Sequence, residues 1–159
     1  MSNLFDRFHE LFAYKEGKLI RKIDVSRMKK GSVASSIDGR YKRVGVDGKR
    51  YPEHQVIYMM HYGYFPEQID HINGNGFDNR LENLRPANNV TNGQNKKLMS
   101  SNKSGIKNVF WVNQAKKWRV AIRFNGKQKC VGEFKDLELA ELVAIMAREK
   151  YHGKYANHG

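Results

Sequence analysis

The centre of the chain reads IDHINGNGFDNRLENLR over residues 69–85, and this stretch decides the fold. Gln68 to Ile72 fit a short strand, and Asn73-Gly74-Asn75-Gly76 is typical of a tight turn. A second short segment then leads to Asn88, whose side chain suits the N-cap of a helix through about Lys97. The pattern predicts strand, turn, second segment and helix in that order.

Asp70 and Asn92 occupy positions that such a strand, turn and helix can bring to one point. Carboxylate and amide oxygens are hard ligands that suit Mg²⁺ or Mn²⁺ better than zinc. Two protein ligands leave most coordination positions to water and phosphate oxygens. Asn88, Asn89 and Asn95 compete with Asn92 for this role, and Asn95, one helical turn further on the same face, is the strongest competitor.

His71 directly follows Asp70 and is the candidate for activating an attacking water. An unperturbed histidine has a pKa of about 6.5, which suits a general base at neutral pH. The sequence therefore predicts a hydrolytic site at the end of the short strand.

Residues 69–85, with His54 upstream and Asn92 and Asn95 downstream, resemble the HNH endonuclease family, in the subgroup of phage and intron-encoded homing endonucleases. The resemblance covers residues 51–97. It implies a ββα-metal fold and single-metal hydrolysis of a DNA phosphodiester, leaving 5′-phosphate and 3′-hydroxyl ends. The third motif position is asparagine rather than histidine, which favours Mg²⁺ or Mn²⁺.

Carried over by position, the resemblance implies four roles. Asp70 and Asn92 would bind the metal, and His71 would be the general base. Asn83 would orient the loop that carries the histidine. These residues form the expected catalytic and metal site.

Three neighbouring residues have two readings each. His54 packs against the ββα unit or touches DNA, and we expect the structural role. Arg80 and Arg85 bind DNA phosphates or brace the loop, and the sequence leaves both open.

The charge pattern points to a polyanionic partner. Of 159 residues, 29 are Lys or Arg and 16 are Asp or Glu, giving a net charge of +13. Residues 1–45 carry +6, residues 46–97 are neutral and residues 98–159 carry +7. From Lys103 to Lys129 there are eight basic residues and no acid, which is typical of a nucleic-acid-binding surface.

The neutral centre is flanked by predicted hairpins and a short helix. Apolar spacing predicts a helix over 4–12, and Glu16-Gly17, Asp38-Gly39 and Asp47-Gly48 are turn signals. Pro52 suits the first turn of a helix that runs to His61 and ends at Gly63.

The C-terminal part predicts three strands, at about 107–112, 117–124 and 129–134, and a helix from about Asp136 to Tyr151. Strand 117–124 alternates between apolar and basic residues. One side has Trp118, Val120, Ile122 and Phe124, and the other has Lys117, Arg119, Ala121 and Arg123. The first set fits a core under the helix, and the second makes a basic face.

Residues 104–156 resemble an AP2 DNA-binding domain. The resemblance rests on SGIKNV (104–109), Lys117-Trp118, VGEF (131–134) and the alanine-rich helix ending in HGKYA (152–156). It implies a DNA-facing side that carries Arg119, Arg123 and Gln128, and phosphate contacts from Lys107, Lys127 and Lys129. Cys130 stands where plant members have an aromatic contact, so base preference is not transferable. We expect Trp111 to be a core residue.

Together these features predict an α+β protein with four parts. Residues 1–45 form a basic hairpin region, 46–97 an HNH nuclease domain, 98–103 a linker and 104–159 the AP2-like domain. The expected function is a metal-dependent endonuclease that nicks or breaks double-stranded DNA, acting as a monomer or weak dimer. The alternatives are a DNA-binding regulator with an inactive nuclease fold, and an RNA-binding or RNA-cleaving protein.

Other classes are disfavoured. One cysteine excludes an internal disulfide framework and a cysteine-based zinc finger. The longest apolar runs are far shorter than the roughly 20 residues of a spanning helix, and the first ten residues do not resemble a signal peptide. We expect no membrane partner, no organic cofactor and a cytoplasmic location, in the host cell if a phage encodes the chain.

Overall fold

The protein is described by a computed structural model covering residues 3–96 and 98–158. It is a mixed α+β chain that divides into two compact units, Met1–Ala87 and Asn88–Gly159. Within the described residues, no helix is long and apolar enough to cross a membrane. The division falls inside the segment 46–97, and the domain boundaries expected from the sequence stay predictions.

The first unit contains two helices and three small antiparallel sheets. In chain order they are α1 (Leu4–Leu11), β1 (Phe12–Lys15), β2 (Lys18–Arg21), β3 (Ser36–Asp38), β4 (Tyr41–Val46), β5 (Lys49–Pro52), α2 (Glu53–Tyr62), β6 (Gln68–His71) and β7 (Leu84–Ala87). The sheets pair β1 with β2, β3 with β4 with β5, and β6 with β7.

The hairpin turns form where the sequence predicts them. Glu16-Gly17 and Asp47-Gly48 have positive φ at both residues, at 47° and 79° in each case. This geometry matches the right-handed twist of the flanking strands. Pro52 differs slightly from its predicted place, since it ends β5 and precedes the first residue of α2.

The core of the first unit joins all of its layers. It includes Phe8 of α1, Leu19 of β2, Val44 of β4 and Val56 of α2, each at most 1 % exposed. Leu84 of β7 belongs to the same cluster. The β6–β7 hairpin is therefore anchored to the body of the unit.

Two glycines hold the loop between β6 and β7 against neighbouring hairpins. A Cβ at Gly17 would lie 2.8 Å from the backbone nitrogen of Arg80, and a Cβ at Gly76 would lie 2.6 Å from the carbonyl oxygen of Arg40. Neither position has room for a side chain. The β1–β2 turn and the start of β4 thus contact this loop directly.

The second unit contains α3 (Asn89–Gln94), β8 (Val109–Val112), β9 (Lys117–Phe124), β10 (Lys127–Phe134) and α4 (Leu137–His152). The strands form one antiparallel sheet in the order β10-β9-β8. Asn125-Gly126 makes the β9–β10 turn with positive φ at both residues. The helix expected to run through Lys97 ends at Gln94, and Lys97 itself lies outside the described residues.

Helix α4 covers one face of this sheet, as its alanine stripe predicts. Ala140 and Ala144 are fully buried against Val109 and Val120. Asp136 caps the helix by accepting a hydrogen bond from the backbone nitrogen of Leu139. Small residues let the helix approach the strands closely.

One expectation for the second unit is wrong, and one tract of the expected linker has a defined local structure. Trp111, expected in the core, is 42 % exposed and packs edge-on against Trp118 with ring centroids 4.9 Å apart. Asn102, inside the expected linker, donates to the carbonyl oxygens of Ile106 (3.0 Å) and Val109 (3.3 Å). Polar side chains in this tract are therefore used to build the turn before β8.

Candidate active site

The β6–β7 hairpin positions the two most important predicted residues. Asp70 pairs in register with Arg85, and His71 pairs with Leu84. Both Asp70 and His71 are buried, at 5 % and 6 % exposure. Adjacent residues of a strand point to opposite faces, and here both faces of β6 are covered at these positions.

Arg85 holds Asp70 by a two-pronged ion pair. Its Nε and Nη2 atoms donate to Oδ2 of Asp70 at 2.9 Å and 2.7 Å. The Arg85 side chain is 14 % exposed. This ion pair connects β7 to β6, and the two roles expected for Arg85, binding DNA phosphate and bracing the loop, both stay predictions.

Arg80 is also engaged by an acidic neighbour. Its guanidinium donates to both carboxyl oxygens of Asp78 at 2.8 Å. These hydrogen bonds hold the pKa of Asp78 well below its usual range. Because the Arg80 side chain is 53 % exposed, it also remains accessible to solvent.

Asn83 ties the two ends of the loop together. Its Oδ1 accepts from the backbone nitrogen of Asn73 at 2.9 Å, and its Nδ2 donates to Oδ1 of Asn73 (3.0 Å) and to the carbonyl oxygen of Asp78 (2.7 Å). These hydrogen bonds hold the loop after His71 closed, and the orienting role that the resemblance implies for Asn83 stays a prediction.

A buried chain of hydrogen bonds leads away from His71. The Nε2 atom of His71 lies 2.9 Å from Oδ1 of Asn79, and Nδ2 of Asn79 donates to Oε2 of Glu53 at 2.8 Å. The other Glu53 oxygen accepts from the backbone nitrogen of Leu19 (3.0 Å) and from the hydroxyl of Ser35 (2.8 Å). Glu53 is fully buried and Asn79 is 1 % exposed.

The sequence analysis assigns no role to Glu53 or Asn79. Asn79 lies within the quoted stretch, and Glu53 directly precedes His54 at the start of α2. An acidic residue in the first helical turn is common for electrostatic reasons alone, so this signal is weak. Only the tertiary contacts connect these residues to His71.

Two further rings surround His71. His54 makes an edge-on contact with it at 5.1 Å, and Tyr41 of β4 stacks nearly parallel to it at 6.1 Å. Burial lowers the pKa of His54 to about 3, with smaller contributions from His71 and Arg43. His54 is thus a neutral packing residue at neutral pH, in line with the structural role expected for it.

Asn92, the second predicted metal ligand, belongs to the second unit. It is half-buried on α3, which Asn88 and Thr91 cap reciprocally. Asn95 is buried, and its Oδ1 lies 3.2 Å from the donating Nδ2 of Asn157. Asp70 and Asn92 lie in different units, so their pairing stays a prediction.

The donor chemistry fits a hard divalent cation. In residues 3–96 and 98–158, no group of three His, Cys, Asp or Glu side chains is placed to hold a metal ion. The predicted set, Asp70 with Asn92, contains one such side chain and leaves the other positions to water and phosphate. A carboxylate with an amide suits Mg²⁺ or Mn²⁺ and not zinc.

The basic residues expected to contact DNA divide between the two sheet faces. Arg123 and Gln128 are directly opposite each other in register, and both are exposed. Lys127 and Lys129 pair with Phe124 and Ile122, on the face that α4 covers. The ammonium of Lys129 lies 4.8 Å from the ring centre of Tyr151.

Three other cations of this set have partners within the second unit or are partly covered. Arg119 pairs with Glu133 on β10 at 2.5 Å, and Lys117 is half-buried. Lys107 donates to the carbonyl oxygens of Gln94 (3.2 Å) and Lys96 at the end of α3. These carbonyl contacts hold the Lys107 side chain beside the end of α3.

The environment of Lys107 also alters its titration. Burial, with a further contribution from Arg148, lowers the pKa of Lys107 to about 8. With this pKa most of the ammonium is still charged at neutral pH, and the phosphate contact expected for Lys107 stays a prediction.

Comparisons with known proteins identify the class. A family model described as HNH endonuclease matches residues 51–94. This segment contains α2, the β6–β7 hairpin and α3, together with Asp70, His71, Asn83 and Asn92.

A curated relative places the chain more closely. Protein 3.8 of Escherichia phage T7 is 38 % identical over 96 residues, which cover 59 % of this chain and 74 % of the T7 protein. The chain therefore belongs to the HNH endonuclease family and has a homologue in a phage. No solved structure matches it significantly.

Proposed function

We propose that the protein is a metal-dependent endonuclease that hydrolyses a phosphodiester bond of double-stranded DNA. The observation that carries the proposal is the placement of His71. It is buried beside Asp70 on a braced hairpin, with Nε2 held by the amide oxygen of Asn79. Family membership supports a nuclease function in general, and this geometry supports His71 as its base.

His71 would take the proton of the attacking water. An amide oxygen only accepts hydrogen bonds, so Nε2 carries the ring proton, and Nδ1 of the neutral ring is the basic nitrogen. A positioned general base contributes about 10²- to 10⁴-fold to such reactions.

Asp70 and Asn92 would hold one Mg²⁺ or Mn²⁺ ion. When bound, this ion polarises the phosphate and stabilises the leaving 3′-oxygen. Arg85 orients the Asp70 carboxylate through Oδ2, and Asn83 keeps the following loop closed. The proposed base and one proposed ligand are thus adjacent residues of β6, which pairs with β7.

The three-stranded sheet of the second unit would bind the DNA in the manner of an AP2 domain. Arg123 and Gln128 form an exposed pair on the face opposite α4. The stretch from Lys103 to Lys129 carries eight basic residues without an acid. Release of counterions from the DNA would supply binding affinity at these residues. Residues 46–97 have no net charge, so fixed cations would not compete with a bound metal ion there.

Cleavage of supercoiled DNA tests the proposal. Wild type and His71→Ala are compared with Mg²⁺, Mn²⁺ or EDTA, and His61→Ala is the matched control, since His61 is an exposed histidine at the end of α2. We expect metal-dependent cleavage by wild type and the control, and loss in His71→Ala with DNA binding retained.

Equal cleavage by wild type and His71→Ala would refute the assignment of the base. Binding without cleavage by any of the proteins, on a library of target sequences, would instead favour an inactive DNA-binding regulator. The form of the product, nicked or linear, would show whether one strand or both are cut.

A further inference from the structure

We propose that Glu53 and Asn79 are positioning residues that fix the tautomer of His71. The inference rests on the proposed role of His71 as the general base. It adds two residues, one of them on a different element, to the catalytic arrangement.

The donor-to-acceptor direction of these hydrogen bonds is set first at a backbone group. The N–H of Leu19 can only donate, so the Glu53 oxygen beside it must accept. The hydroxyl of Ser35 donates to the same oxygen. The β1–β2 hairpin thus fixes this Glu53 oxygen as an acceptor, and when Glu53 is a carboxylate its other oxygen, Oε2, can only accept as well.

Asn79 transmits this polarity to the histidine. An amide has one accepting end and one donating end. Because Glu53 Oε2 accepts at 2.8 Å, the NH₂ group of Asn79 must face Glu53 and its oxygen must face His71. The Nε2 of His71 then carries the proton, and Nδ1 is left as the basic nitrogen.

The burial of these hydrogen-bonded side chains indicates that they have a specific role at His71. Glu53 is fully buried, and Asn79 and His71 are 1 % and 6 % exposed. Burying a carboxyl and an amide is costly unless every bond is made, and apolar groups would fill the same space without that requirement. A fixed tautomer is something that apolar groups cannot provide.

Glu53→Gln makes the sharpest test, because it reverses the polarity without changing the shape. The oxygen of the introduced amide must still face the N–H of Leu19, so its NH₂ group faces Asn79. Asn79 then turns its oxygen toward that NH₂ group and its own NH₂ group toward His71. We expect His71 to adopt the Nδ1–H form, with cleavage reduced about 10²- to 10⁴-fold.

A second substitution should reverse this effect. In Glu53→Gln/Asn79→Asp the carboxylate and the amide exchange places. The carboxylate introduced at position 79 accepts from both the amide introduced at position 53 and the Nε2–H of His71, so the original tautomer and most of the cleavage should return. Glu67→Gln, which neutralises an exposed carboxylate, is the matched control.

The tautomer is read directly from long-range ¹H–¹⁵N spectra of the full ¹⁵N-labelled chain, with His71→Ala assigning the ring signals. Wild type and Glu67→Gln should show the Nε2–H form, Glu53→Gln the Nδ1–H form, and the double variant the Nε2–H form. These spectra need no metal and no activity, so they test whether Glu53 and Asn79 fix the tautomer of His71 even if the protein cleaves no DNA.

Several results would overturn the inference. One is an Nδ1–H tautomer in wild type, which requires no variant to fold. Another is an unchanged tautomer in folded Glu53→Gln, even with reduced cleavage, since the residue would then be merely structural. An Nδ1–H form of His71 in folded Glu53→Gln/Asn79→Asp would also refute the proposed control of the tautomer. Absence of cleavage by wild type would count against the proposed nuclease function alone.

Discussion

Asn83 offers a quantitative test of how the loop after His71 is held. It is 6 % exposed and makes three hydrogen bonds to Asn73 and Asp78. Each such bond contributes about 0.5–1.5 kcal/mol, and Asn73 itself is exposed enough for water to replace part of the loss. Asn83→Ala should therefore cost the closed loop about 2 kcal/mol.

Amide hydrogen exchange of the Asn73 N–H measures this cost. A loss of about 2 kcal/mol corresponds to exchange roughly 30-fold faster in Asn83→Ala, since about 1.4 kcal/mol is tenfold. Asn83→Asp should keep the acceptor for the Asn73 N–H, but its second carboxyl oxygen would face Oδ1 of Asn73 and the carbonyl oxygen of Asp78, which are both acceptors. The two donated hydrogen bonds are then lost, so the loop should be destabilised at least as much as in Asn83→Ala.

Asn75→Ala is the matched control. Asn75 is exposed, and its Oδ1 accepts from the backbone nitrogen of Phe77 at 3.1 Å. The expected effect is below about 0.5 kcal/mol. Exchange of the Asn73 N–H at the wild-type rate in Asn83→Ala would show that Asn83 does not close the loop, and its proposed role would be lost.

Three further predictions concern pH and DNA binding. Folding lowers the pKa of His54 from 6.5 to about 3, so the unfolded chain binds more protons than the folded chain between these pH values. Acidification to pH 5 should therefore cost about 2 kcal/mol of stability. In urea unfolding, His54→Leu should show a smaller loss. Folding also lowers the pKa of Lys107 from 10.5 to about 8, so stability should rise with pH between these values, and Lys107→Met should remove that rise. Arg123→Ala should weaken duplex binding and make the log–log salt slope shallower by about 0.9 in fluorescence titrations, whereas Lys129→Ala, on the face covered by α4, should change the slope less.

Local sequence patterns predict most of the secondary structure here. Asn125-Gly126 and Asp47-Gly48 specify their hairpins because few other residue pairs adopt two successive positive φ values easily. Asp136 and the alanine stripe specify α4 because capping and helical periodicity are properties of neighbouring residues. Asn88 specifies the start of α3, and Gly93 and Asn95 lie at its end, earlier than the predicted end near Lys97.

The candidate site is predictable only in part. Asp70, His71 and Asn83 belong to a spaced motif. Tyr41 stacks on His71, and Glu53 is connected to His71 through Asn79, in both cases by tertiary contacts. Such contacts join residues from α2 and β4 to β6, and no periodicity within either element encodes them. The same reason explains Lys107, whose charge is evident from the sequence but whose carbonyl partners are not.

The close packing at Gly17 and Gly76 has a kinetic consequence. Both contacts join the loop after His71 to hairpins formed much earlier in the chain, and closing such long segments is entropically slow. The hairpins themselves rely on neighbouring residues and can form quickly. During refolding, the surroundings of His71 should therefore be completed late, and recovery of a native histidine spectrum should lag behind recovery of strand content.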